Sequence, residues 1–173
     1  MIERLVLVGF MCSGKSTVGR LVAERLDWDF IDFDEAIERN HKQRIAEIFR
    51  DHGENHFRVL EAELTAQMAG FRDVVLAPGG GWVTQPVLVD KLRPGGLVVW
   101  LRIQPEAALE RHLKQATVER PLLAVDDPLG VVRSMLSERR PLYEVADAVV
   151  ETDSLTPDEV AAEIVGLLGR HDS

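Results

Sequence analysis

Gly9-Phe10-Met11-Cys12-Ser13-Gly14-Lys15-Ser16 has the spacing G-x-x-x-x-G-K-[ST], which suits the capture and transfer of phosphate. The glycines permit a tight turn whose backbone N–H groups face an anion, and a helix N-terminus behind the turn adds positive potential. Lys15 can neutralise charge on a transferred phosphoryl group, Ser16 can ligate Mg²⁺, and the run Cys12, Ser13, Gly14, Lys15, Ser16, Thr17 would wrap the nucleotide phosphates. The competing reading is a glycine-rich turn with an exposed lysine. Cys12 reads as a small buried filler, with a reactive thiol as the alternative. Two carboxylates follow at Asp32 and Asp34, flanking Phe33. Strand alternation would put them on one side, where they can hold Mg²⁺ through water and orient a substrate hydroxyl. Otherwise both are solvated loop acids, with Asp34 only capping a helix. Gly79-Gly80-Gly81 exposes backbone N–H groups and admits close ligand approach, or is a plain turn.

The surrounding elements give these residues their context. Leu5–Val8 is an apolar run of a length suited to a strand buried on both faces. From Lys15 the spacing turns helical, with Val18, Leu21, Val22 and Leu26 on one face. A second strand is expected over 27–32, then a helix capped by Asp34 and reaching Arg39. A largely helical stretch covers Ile45 to Met68 with a break near His52-Gly53, and Val74–Ala77 is a third strand ending at Pro78. Leu97–Leu101 is a fourth strand, with Pro105 in the first turn of the next helix. His112 to Pro121 has the polar composition of a surface loop, suited to a mobile lid. A helix from Leu129 toward Tyr143, a fifth strand at Ala148–Val150 and a closing helix from Pro157 to Leu168 complete the chain. Such alternation predicts a three-layer α/β/α fold around a five-stranded parallel sheet, with ligands at the carboxyl ends of the strands.

At 173 residues, 46% hydrophobic and 28% charged, the chain reads as one globular domain over 1–173, with no disordered or membrane-spanning stretch. The net charge of −9 disfavours nonspecific contact with nucleic acid or membrane, so an anionic ligand must be met by a local cluster of donors. Met1 to Arg4 leads straight into a short strand, which argues against an export signal, and a lone Cys12 agrees with a cytoplasmic setting. No apolar stripe stands apart from the core periodicity, so a monomer is expected.

Taken in order, the segments resemble the shikimate kinases, small phosphate-loop enzymes of the nucleoside-monophosphate-kinase-like group. The likeness rests on the phosphate loop from Gly9 to Thr17, Phe30-Ile31-Asp32-Phe33-Asp34, Glu47-Ile48-Phe49, Gly53-Glu54-Asn55-His56-Phe57-Arg58, Gly79-Gly80-Gly81, Glu119-Arg120-Pro121-Leu122-Leu123 and Arg139-Arg140-Pro141-Leu142-Tyr143. It implies transfer of the ATP γ-phosphoryl group to the 3-hydroxyl of shikimate, with Mg²⁺ as cofactor. By the same resemblance, Lys15, Asp34 and Arg120 are catalytic, Asp34 meeting the hydroxyl and Arg120 closing from a lid over about 112–123 onto the phosphates. Arg58 and Arg139 grip the substrate carboxylate, the Gly79 to Gly81 backbone meets its ring, and Ser16 with Asp32 places the metal. The substrate-binding segment spans about 33–62.

Four positions depart from the family pattern. Cys12 stands where a glycine is common, Pro78 replaces a threonine, Asn40 to Gln43 lacks a glycine, and the lid is about two residues longer. Arg111 is the nearest candidate to stack on adenine, with Pro157 on the other side. His52, His56, His112 and Trp82 read as packing or rim residues. The rival readings are a kinase for another polyhydroxy acid such as gluconate, and a nucleotide-binding module without transfer activity.

Overall fold

A computed structural model describes residues 1–115 and 125–171. Five strands, β1 (Arg4–Val8), β2 (Asp29–Asp32), β3 (Val74–Ala77), β4 (Gly96–Arg102) and β5 (Ala148–Glu151), form one parallel sheet in the order β2-β3-β1-β4-β5. The helices are α1 (Lys15–Leu26), α2 (Phe33–His41), α3 (Ile45–Met68), α4 (Pro86–Leu92), α5 (Pro105–Lys114), α6 (Pro128–Tyr143) and α7 (Pro157–His171). Parallel strands need long crossovers, and helices lie on both faces of the sheet as expected.

Alternation along the strands sorts the core into two layers. Leu5 and Leu7 of β1 face α1 and α7, against Val18, Val22, Val160 and Ile164. Val6 and Val8 face the other way, onto Phe33, Ile37, Leu60, Leu64 and Leu88 of α2, α3 and α4. Each such fully buried aliphatic side chain contributes roughly 1.5–3 kcal/mol over leaving it in water. At the amino end of the sheet, buried Arg4 donates to the carbonyls of Phe71 (3.2 Å), Ala69 (2.7 Å) and Pro94. That end is thereby closed, and the open end is the carboxyl one.

Several boundaries differ from the sequence reading, each for a local reason. β2 starts at Asp29, because Asp27 adopts the left-handed conformation (φ 56°) as the C-cap of α1 and the Trp28 N–H is spent on the Ala23 carbonyl (2.9 Å). The cap of α2 is Asp32, not Asp34: its Oδ1 accepts from the N–H groups of Asp34 (3.0 Å) and Glu35 (3.2 Å). Asp34 therefore sits in the first turn of a helix, and strand alternation is not what brings the two carboxylates together. Residues 112–114, assigned to the start of the lid, are the last turn of α5. The rest of that lid through residue 123, Arg120 included, lies outside the described residues apart from Gln115. The sequence reading passed over α4 and the short 3₁₀ turn Trp82–Thr84 that leads to it. The expected break in α3 is present, at Gly53 (φ 82°, ψ 171°), a conformation that a residue with a β-carbon rarely adopts.

Candidate active site

Sheet order decides what meets at the open end. β1, β3 and β2 are neighbours, so the phosphate loop after β1, the glycine turn after β3 and the Asp32–Asp34 segment after β2 emerge side by side. All three line one cleft of about 710 Å³. Of the residues singled out in the sequence, 12–17, Asp32, Asp34, Gly79, Gly80, Gly81 and Arg139 lie on its wall, and Arg58 does not.

In the phosphate loop, Gly14 (φ 94°) directly precedes α1, so the first free N–H groups of that helix face the cleft. The Lys15 ammonium folds over its own loop, donating to the carbonyls of Gly9 (2.6 Å) and Phe10 (3.2 Å). Cys12 is not a buried filler. It is half-buried, adopts a left-handed conformation (φ 61°), and its Sγ lies 3.9 Å from Oε1 of Gln115.

Asp32 links the loop to α2. While Oδ1 caps the helix, Oδ2 accepts from the Ser16 hydroxyl. A hydroxyl and a carboxylate held together beside a phosphate-binding turn are hard oxygen donors of the kind Mg²⁺ takes, so this pair fits that ion. Asp34 lies deeper, and its Oδ1 is buried without a partner among the described residues. Burial pushes its carboxyl up to about 6, the nearby Asp32 charge adds to this, and Lys15 opposes it.

The third wall is held by a charged network that the sequence reading missed. Glu61 on α3 is fully buried, and its Oε2 accepts from Arg58 Nη1 (2.6 Å) and Gln85 Nε2 (3.3 Å). Its Oε1, like Asp34 Oδ1, has no partner among the described residues. Burial is the main cause of its raised carboxyl pKa, with Arg58 pulling the other way. Arg58 also donates from Nη2 to Glu54 (3.1 Å), one turn earlier. The glycines accommodate this cluster. A β-carbon at Gly79 would lie 3.2 Å from Asp34 Oδ1 and 3.3 Å from Glu61 Oε1, and one at Gly81 would overlap the Arg58 guanidinium. Spacing held the signal for Glu61: residues 54, 58 and 61 fall on one helical face, a carboxylate on either side of an arginine. Across the cleft, Arg139 Nη1 points at the Gly80 carbonyl (3.4 Å), which also accepts from the Tyr143 hydroxyl (3.1 Å).

The far end of the cleft, toward β5, is bordered by Arg111, Thr152 and Pro157. Arg111 is tethered to the phosphate loop and to the end of β5, donating to the carbonyls of Cys12 (3.1 Å) and Thr152. Trp82 is wholly buried and donates from Nε1 to Thr65 Oγ1 (3.0 Å), while His52 and His56 are exposed.

A parallel sheet with a phosphate loop after its central strand, and a lysine, hydroxyl and carboxylates at that loop, defines a phosphate-loop phosphotransferase of the α/β class. The family model described as shikimate kinase matches residues 11–168. The chain belongs to the shikimate kinase family. It is 40% identical over 163 residues to a shikimate kinase of Caldanaerobacter subterraneus subsp. tengcongensis, covering 94% of each chain. Its structure is similar to that of shikimate kinase from Acinetobacter baumannii in complex with shikimate (TM-score 0.89, 37% identity, 99% of this chain and 95% of that one). A gluconokinase from Sinorhizobium meliloti shares the fold at a TM-score of 0.62 and 20% identity, over 97% of this chain and 92% of that one.

Proposed function

We propose that this chain phosphorylates the 3-hydroxyl of shikimate with Mg²⁺-ATP, giving shikimate 3-phosphate and ADP. The observation that carries this reading is the convergence of the phosphate loop, Asp34, the glycine turn and Arg139 on one cleft, in a member of the shikimate kinase family. Asp34 accepts the proton of the hydroxyl as its oxygen bonds to the γ-phosphorus, and the bond to the β–γ bridging oxygen breaks, leaving ADP. Lys15 leaves its loop carbonyls for the phosphates, and Arg120 adds positive charge from the lid. Ser16 and Asp32 would hold Mg²⁺, which when bound would supply neutralisation of phosphate charge. Arg139 and Arg58 take the substrate carboxylate. To do so Arg58 turns past Gly81 and exchanges the exposed Glu54 for the ligand, while Glu61 keeps hold of Nη1. Arg111 and Pro157 flank the adenine.

In this reading residues 1–173 are a single kinase domain, with its acid-binding segment over about 33–62. It acts as a monomer in the cytoplasm without nucleic acid or membrane partners. Among the described residues no helix is long and apolar enough to cross a membrane. The deciding experiment is ADP release from Mg²⁺-ATP with shikimate, with gluconate and with no acceptor. Turnover with shikimate alone is expected. Turnover with gluconate alone would move the acceptor, and none with either would leave a nucleotide-binding module. Within the site, Arg120→Ala should depress kcat more than it raises KM, and Arg58→Ala the reverse.

A further inference from the structure

Two ring pairs bridge the Gly53 interruption of α3. Phe49 and Phe57 meet with centroids 4.8 Å apart, and His52 and His56 with centroids 4.9 Å apart and planes inclined at 45°. Phe57 is buried, whereas Phe49 and both imidazoles are exposed. Among the described residues neither imidazole makes a hydrogen bond, and the neighbouring Asp51 carboxylate is paired with Arg50. The kinase mechanism uses neither histidine.

We propose that His52 and His56 together bind a late first-row divalent cation of the Zn²⁺, Ni²⁺ or Cu²⁺ type, as a two-imidazole chelate across the Gly53 interruption. The ring separation supports this. Imidazole nitrogens bind such ions at about 2.0–2.1 Å, which puts each ring centroid about 3.2 Å from the metal. Two imidazoles at tetrahedral to octahedral angles then have centroids roughly 4.5–5.2 Å apart. The observed 4.9 Å falls within that interval, so little rearrangement is needed beyond aiming the nitrogens. Imidazole suits these metals, whereas Mg²⁺ demands oxygen ligands, so the cation of the phosphate site does not compete. No group of three or more metal-ligating side chains occurs among the described residues, which leaves water to complete the coordination and makes the ion exchangeable. Glu54 lies between the two histidines and Arg58 two residues beyond the second, so the chelate would stiffen the segment that carries the Arg58 network.

The test is calorimetric titration of the full chain with Zn²⁺ in Mg²⁺-containing buffer, comparing wild type with His52→Gln and His56→Gln. Glutamine preserves helix propensity at these exposed positions, and unchanged circular dichroism verifies folding. One ion per chain is expected, bound roughly tenfold or more weakly in either variant, because loss of one ligand abolishes the chelate. Zn²⁺ should also slow amide exchange over residues 49–58 in wild type and in neither variant. An isotherm unchanged in the variants, a mere halving of stoichiometry at unaltered affinity, or exchange that Zn²⁺ leaves untouched would each overturn the proposal. None of these readouts depends on which acceptor the kinase takes.

Discussion

The two halves of the cleft are built on different principles. On the phosphate side, donors come from a contiguous run, residues 9 to 17, and are largely backbone N–H groups fixed by the strand-to-helix turn. On the acid side, Asp34, Arg58, Glu61 and the glycine turn come from α2, α3 and the end of β3, and the Arg58 and Glu61 charges are held against one another. A backbone cradle depends on local geometry and tolerates many side chains. A buried charge network depends on every member, since a charge left without its partner costs several kcal/mol. The phosphate side should thus yield to single catalytic substitutions without loss of the fold, and the acid side should couple binding to stability.

The sharpest break is Asp34→Asn. On the role proposed for Asp34, loss of the proton acceptor should lower kcat by about 10³-fold, measured as shikimate-dependent ADP release. The same change should raise stability at pH 7.5, because the native carboxyl is held at about 6 against an ordinary 3.8. A raised native pKa means that stability from this group is present in full below pH 3.8 and lost as pH rises through 6. The asparagine variant escapes that loss, so its melting temperature should exceed wild type at pH 7.5 and match it near pH 4. In wild type, kcat/KM for shikimate should fall about tenfold per pH unit below 6.

On the phosphate side, Lys15→Met should cost about 10²–10³-fold in kcat while leaving the melting temperature of the ligand-free protein near wild type. Unfolding of that variant would erase the contrast between the halves. Glu61→Ala should do what Lys15→Met does not. It strips Arg58 of its 2.6 Å partner and should destabilise the fold by about 3 kcal/mol in denaturant titration, with KM for the acid raised more than kcat is lowered. The smallest effect is expected at Cys12. Its left-handed conformation (φ 61°) costs an L-residue energy that glycine avoids, so Cys12→Gly should gain about 1 kcal/mol with activity within about twofold.

The same contrast explains what could be read from the sequence. The phosphate loop is written in consecutive residues, and the strands at Val74–Ala77 and Leu5–Val8 in short apolar runs, so both were legible. The break at Gly53 was legible too, because a glycine inside a helical pattern marks where the backbone departs. Glu61 was legible only as a charge at helical spacing from Glu54 and Arg58, since a carboxylate in the middle of a helix ordinarily points to water, and only the fold shows Arg58 and Gln85 arriving to meet it. The Asp32 cap was missed for a related reason. Asp32 and Asp34 offer the same side-chain chemistry, and the choice between them depends on where β2 must stop to pair with Ala77. Helix α4 was overlooked because seven valine-, leucine- and proline-containing residues give too short a period to separate from a loop.

Trp82 follows the glycine turn directly, meets the Phe33 ring edge-on at 6.5 Å and is bonded to Thr65 of α3. It therefore touches all three elements that form the acid side, while Trp28 packs in the opposite layer beside α1 and α7. The molecule thus carries an optical probe on one half of its cleft. Acid binding should perturb the emission of Trp82, and of Trp100 stacked on Tyr143 in the same layer, and leave that of Trp28 as a steady background, so occupancy of the acid side can be followed without label, nucleotide or turnover.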